Sequence, residues 1–134
     1  MKRLLLIAGF ALVLSVPGVA PAATLFTVPV IYVSPQTLNF GKVADKAIAT
    51  NTFLVENAGS GVLIGAATVP APFKIIEGGK YKLRENEMQI VTVIYTPTGA
   101  KTDTQTVKFT GGGGAKALVT GKSLNPGTKQ SKRP

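Results

Sequence analysis

The residues able to do chemistry in this chain are few. Its 134 residues include no histidine and no cysteine. A serine nucleophile therefore has no imidazole base, and cysteine catalysis is absent. Zinc or copper cannot be held through imidazole or thiolate. Six carboxylates remain: Asp45, Glu56, Glu77, Glu85, Glu87 and Asp103. Glycoside hydrolysis needs two of them converging on one bond. Glu85 and Glu87 stand two apart in the polar run Arg84-Glu85-Asn86-Glu87 and could face the same way. The same run also reads as a solvated turn. Calcium needs six or more oxygens, usually from clustered acids, and these acids are spread along the chain. No catalytic residue, metal site or cofactor is expected.

Two further features invite a binding role. Gly111 to Gly114 form a four-glycine run. A phosphate loop must lead into a helix N-terminus with a Lys-Ser/Thr pair, whereas Ala115-Lys116-Ala117-Leu118-Val119 reads as a strand, so the glycines are expected at a hairpin tip. Lys129, Lys132 and Arg133 close the chain and could touch an anionic surface weakly, each for about 1 kcal/mol. Asn57 is the polar residue with a structural reading. It ends an apolar strand before glycine, where its amide can bond nearby backbone and hold a turn.

The elements that position these residues begin after a leader. Lys2-Arg3 precede an apolar run of 13 residues, Leu4 to Val16. Pro17-Gly18 would break any helix, and Ala20-Pro21-Ala22 offers small residues to a signal peptidase. This is a three-part secretory pattern, and the run is shorter than the roughly 20 residues of a membrane span. Residues 1–22 are expected to be a signal peptide, leaving a mature chain of 112 residues with no transmembrane segment. Residues 23–29 would form an N-terminal arm, 30–123 one folded domain, and 124–134 a flexible basic tail. An exported chain without cysteine cannot be a disulfide scaffold, so burial alone must hold the domain. The formal charge of +9 falls once Lys2, Arg3 and the tail are set aside: the domain has 10 basic and 6 acidic residues. Its lysines come one at a time along the sequence, without the aromatic neighbours of a nucleic-acid stripe. No specific nucleic-acid contact is expected.

The domain reads as short strands. The first strand covers Ile31 to Val33 and resumes at Thr37 to Phe40, where Leu38 and Phe40 alternate before Gly41. Next come Ile48 to Glu56, then Gly61 to Val69 with Val62, Ile64 and Ala66 alternating, then Phe73 to Glu77. Tyr81-x-Leu83 leads to the clearest strand, Gln89 to Pro97. There Val91, Val93 and Tyr95 share one face, and Ile90, Thr92 and Ile94 share a partly covered one. Thr104 to Thr110 points Val107 and Phe109 inward, and Ala117 to Gly121 closes the sheet. Seven to eight short antiparallel strands with regular turn signals and no helix predict an all-β, immunoglobulin-like β-sandwich.

Along Ile31 to Lys122 the chain resembles the ASH (abnormal-spindle and hydin type) domain, close to the bacterial choice-of-anchor D domains and related to the major sperm protein fold. The resemblance rests on Pro35, Leu38, Phe40, Gly41 and Val43, then Asn57, Gly59 and Ser60. Pro72-Phe73 follows, then Val93, Tyr95, Pro97 and Gly99, and finally Leu118 and Gly121. The family's Leu-x-Pro-Gly is missing at Leu83-Arg84-Glu85-Asn86, where Asn86 can take the left-handed turn. The resemblance implies a docking or spacer module and confers no ligand.

The leading expectation is an exported, non-catalytic immunoglobulin-like module. It would serve protein–protein interaction or cell-envelope assembly, in the periplasm or outside the cell, with a partner the sequence does not name. One alternative is a periplasmic chaperone-like protein that pairs strands with a client. A weaker one is an anionic-surface binder acting through the tail. The arm, Leu25 to Val33, is strongly β-prone. It would either pair within its own domain or add to a neighbour's sheet.

Overall fold

The structure is a computed structural model that describes residues 17–18, 20 and 25–124. Most of the expected signal segment, and Lys129, Lys132 and Arg133 of the tail, lie outside the described residues.

Among the described residues, alternation of apolar and polar side chains builds nine strands: β1 Ile31–Ser34, β2 Thr37–Ala44, β3 Ala49–Asn57, β4 Leu63–Thr68, β5 Phe73–Glu77, β6 Lys80–Leu83, β7 Met88–Tyr95, β8 Thr102–Phe109 and β9 Ala115–Leu124. They form a four-stranded sheet in the order β1-β3-β7-β5 and a five-stranded sheet in the order β2-β9-β8-β4-β6. The architecture is the expected all-β immunoglobulin-like sandwich, with two differences of detail. There is one strand more than the upper expectation, because the chain leaves the first sheet at Ser34 and enters the second at Thr37. Also, β2 runs parallel to β9, with Thr37 opposite Leu118 and Val43 opposite Ser123. Strands β2 and β9 are far apart in sequence and no hairpin joins them, so local sequence does not set their direction.

Side chains of successive strand residues point to opposite faces, and the inward sets of the two sheets meet. Phe53, Val55, Val91, Val93 and Tyr95 of one sheet pack with Leu63, Val107, Phe109 and Val119 of the other, all fully buried. Phe53 meets Phe109 edge-on at 5.5 Å between ring centres, within the favoured range for aromatic pairs. The alternation in β4 has the opposite phase to the one emphasised in the sequence: Leu63 and Ala67 are buried, while Val62 and Ile64 are exposed. Both faces of that segment are apolar, so its pattern could not choose. Strand β9 continues to Leu124, the first residue assigned to the tail.

Tyr95 anchors one end of the core. Its ring stacks on Phe73 at 4.7 Å and meets Phe40 at 5.7 Å. A Cβ on residue 121 would overlap that ring, so glycine is the side chain β9 can carry there. The phenol donates a 2.8 Å hydrogen bond to Oδ2 of the buried Asp103, whose other oxygen lies 3.5 Å from Lys101 Nζ. Burial, and then the Asp103 carboxylate, push the Tyr95 phenol up to about 12.

Asn57 anchors the other end and is fully buried. Its Oδ1 accepts from the backbone N–H groups of Val30 (3.2 Å) and Gly59 (3.1 Å). Its Nδ2 donates to the carbonyls of Gly61 (3.0 Å) and Leu83 (3.2 Å). Its own N–H donates to the Glu87 carbonyl, and its carbonyl accepts from Asn86 N–H. One side chain thus joins the arm, its own turn and the end of β6. The arm lies against this turn: Val28 exchanges bonds with Ser60, and Ala58 N–H donates to the Val30 carbonyl. A Cβ at Gly59 would overlap the Val28 carbonyl. Val28 to Val30 therefore pair within their own domain, while Leu25 and Phe26 remain 87% and 85% exposed.

Two outcomes are expected. Asn57→Ala strands several buried backbone groups, each costing about 1–3 kcal/mol, so it should destabilise by roughly 2–4 kcal/mol. Asn57→Asp keeps an oxygen to accept from Val30 and Gly59 but loses the N–H donors to Gly61 and Leu83, and should not rescue. Denaturant titration reads both variants, and a loss under about 0.5 kcal/mol, the range of an ordinary surface change, would refute the clamp. For Tyr95, the folded pKa exceeds the unfolded one. The stabilisation it brings is complete below the ordinary tyrosine value of 10.0 and is lost as pH rises toward about 12. Stability measured across that window should fall more steeply for the wild type than for Tyr95→Phe. Equal slopes would show that the phenol does not carry the effect.

Candidate functional site

The carboxylates do not converge. Asp45 Oδ1 accepts from Gly99 N–H at 2.9 Å and ties the β2–β3 loop to the β7–β8 loop. Glu87 Oε2 accepts from Arg84 N–H at 2.7 Å and closes its own turn, beside an exposed Glu85. Asn86 adopts the left-handed backbone there, with φ 61°. Glu56 sits on the outer face of the four-stranded sheet, Glu77 ends β5, and Asp103 is buried under Tyr95. Among the described residues no three His, Cys, Asp or Glu side chains gather to hold a metal ion. Gly111 to Gly114 all have positive φ and form the tip joining β8 to β9, with no helix following. The Gly112 carbonyl accepts from Ile31 N–H, so the tip leans on the start of β1.

The motif residues occupy frame positions. Leu38, Phe73, Tyr95, Pro97 and Gly121 are buried, Phe40 and Pro72 half-buried, and Pro35 lies in the crossing between sheets. Gly41, at φ 68°, sits in the bulge of β2, where its N–H donates to Asn39 Oδ1. Phe40, Phe73, Tyr95 and Gly121 come together in one cluster; Asn57 and Gly59 form the other. Neither cluster offers a surface to a ligand.

What remains for binding is the two outer faces, and they differ in chemistry. On the four-stranded sheet the register sets Tyr32 opposite Glu56 and Glu56 opposite Met88, and in the next row Ser34, Leu54 and Ile90. Tyr32, Met88 and Ile90 are 53%, 55% and 58% exposed, and Leu54 is half-buried between them. The Ile90 side of β7, expected to be partly covered, is open at Ile90 and half-covered at Thr92 and Ile94. On the five-stranded sheet the outward positions include Lys42, Lys80, Lys82, Lys108, Lys116 and Lys122, all exposed. Threonines stand between them, with Thr120 opposite both Asn39 and Thr104. Lys108 and Lys116 also line a shallow depression of about 520 Å³ beside the glycine tip.

Neither face was assembled from the sequence. Lysines at outward positions of β2, β6, β8 and β9 carry the signal, but strand register is needed to bring them side by side.

No protein-family model matches the sequence, and no curated protein does. Solved structures do. The ASH/PapD-like domain 7 of human CEP192 superposes with a TM-score of 0.58 at 14% identity, over 72% of this chain and 87% of that one. The Caenorhabditis elegans major-sperm-protein family member WR4 gives 0.50 at 11%, over 70% and 97%. The Escherichia coli chaperone DraB gives 0.55 at 12%, over 74% of this chain and 56% of that one. The domain has the immunoglobulin-like fold of the ASH, PapD-like and major-sperm-protein type.

Proposed function

We propose that this chain is an exported, non-catalytic immunoglobulin-like module that docks another protein, in the periplasm or outside the cell, after removal of residues 1–22. The observation that carries the reading is the exposed apolar cluster on the outer face of the four-stranded sheet. Tyr32, Leu54, Met88 and Ile90 are grouped around Glu56 across three strands, on a domain whose acids are dispersed and which has neither histidine nor cysteine. Contiguous exposed apolar surface of this kind marks interaction sites, and burying an aromatic with its aliphatic neighbours is how interfaces gain most of their energy. Export rests on the secretory pattern of the leader. Among the described residues no helix is long and apolar enough to cross a membrane.

The likeness to DraB favours a second reading, strand pairing with a client at a free sheet edge. The eight-residue edge strand β2 is the longest candidate. Its register shifts between Asn39 and Lys42, and it carries a lysine. Both features blunt an edge against added strands, which supports a docking module over a chaperone.

Tyr32→Lys with Ile90→Glu should abolish capture of the partner in cross-linking from the native envelope. Stability should stay within about 0.5 kcal/mol, the range of surface changes. A partner held equally by the double variant would place docking elsewhere and sink this reading.

A further inference from the structure

We infer that the outer face of the five-stranded sheet docks onto a bilayer of anionic lipid. This stands apart from the protein-docking reading, which uses the opposite face.

The first observation is charge. Lys42, Lys80, Lys82, Lys108, Lys116 and Lys122 project from β2, β6, β8 and β9 on one side of one sheet. All six carboxylates of the chain lie elsewhere: on the other sheet, in turns, or under Tyr95. The one ion pair among the described residues, Lys101 with Asp103, involves none of these six. A face of uncompensated positive charge is complementary to an anionic surface.

The second observation is register. Lys108 stands directly opposite Lys116, and Lys42 directly opposite Lys122. Like charges directly opposite across a strand pair destabilise a sheet. Two such pairs concentrate positive charge at a small cost to the fold, which solvent and salt screen in part and an anionic partner would relieve further.

The third observation selects the counter-charge. Exposed aliphatic side chains, Ile64, Leu118 and Leu124, lie among the lysines: Ile64 is opposite Lys82, and Leu118 and Leu124 share the outward side of β9 with Lys116 and Lys122. Lysines that extend their ammonium groups to headgroups while aliphatic side chains enter the interface form a membrane-surface pattern. Single-stranded nucleic acid calls for aromatic stacking platforms. The described aromatic residues of the strands are in the core or, as Tyr32, on the other sheet. The broad, regular face suits a surface rather than a pocketed ligand.

The test is co-sedimentation of residues 23–134, the proposed mature chain, with phosphatidylcholine vesicles, with and without phosphatidylglycerol. The leader is left off because Lys2, Arg3 and the apolar run would bind vesicles by themselves. Wild type should favour the anionic vesicles, and binding should weaken as salt rises. Changing Lys42, Lys108, Lys116 and Lys122 to Gln should cost roughly fivefold in binding per lysine. Lys129→Gln, Lys132→Gln and Arg133→Gln together should leave most of the preference. Lys108→Glu separates binding from folding. It replaces a like-charge pair with an opposite one, so the Tm should rise while vesicle binding falls. The inference is overturned if the quadruple variant binds like wild type, if anionic vesicles are not preferred, or if the tail changes alone remove the preference. Retention on an anionic polysaccharide or nucleic acid without vesicle binding would overturn the lipid assignment.

Discussion

The buried amide of Asn57 is the constraint around which one end of this sandwich is arranged. A buried amide left without partners costs more than a neutral hydrogen bond returns, so its four side-chain bonds must all be made at once. Making them brings Val30, Gly59, Gly61 and Leu83 to one point. That fixes the arm against the β3–β4 turn and sets where β6 ends. The turn backbone can approach the arm closely because residue 59 has no side chain. Low dielectric around the amide strengthens each bond and raises the cost of losing any one.

At the opposite end the constraint is steric and electrostatic together. Tyr95 fills the space between the sheets with its ring and reaches Asp103 with its hydroxyl. Phe40 and Phe73 complete the cluster, and Gly121 leaves room for it. The recognisable residues of the domain fall largely into these two ends or the crossings between them. Their spacing encodes a frame, which is why they identify the fold and not the ligand.

The outer faces carry side chains that take no part in either anchor. The two faces differ: one is apolar around Tyr32 and Ile90, the other is lysine-rich with threonines and a few aliphatics. A sandwich keeps such faces on opposite sides, about two sheet thicknesses apart. The two proposed contacts, with a lipid surface and with a protein, therefore use opposite faces and do not compete.

By itself the sequence determined the fold class, because period-two alternation, turn glycines and strand-breaking prolines act locally. It also determined the absence of imidazole and thiolate chemistry and the structural role of Asn57, whose position before a glycine turn is a local signal. Tertiary structure alone decided the rest. It set which face of β4 is buried, since both faces are apolar and only packing against β8 and β6 can choose. It set the parallel pairing of β2 with β9, which depends on chain ends distant in sequence. It brought Tyr95 to Asp103. And it gathered the lysines, scattered singly along the chain, onto one side of one sheet, because neighbours across strands are fixed by register and not by sequence distance.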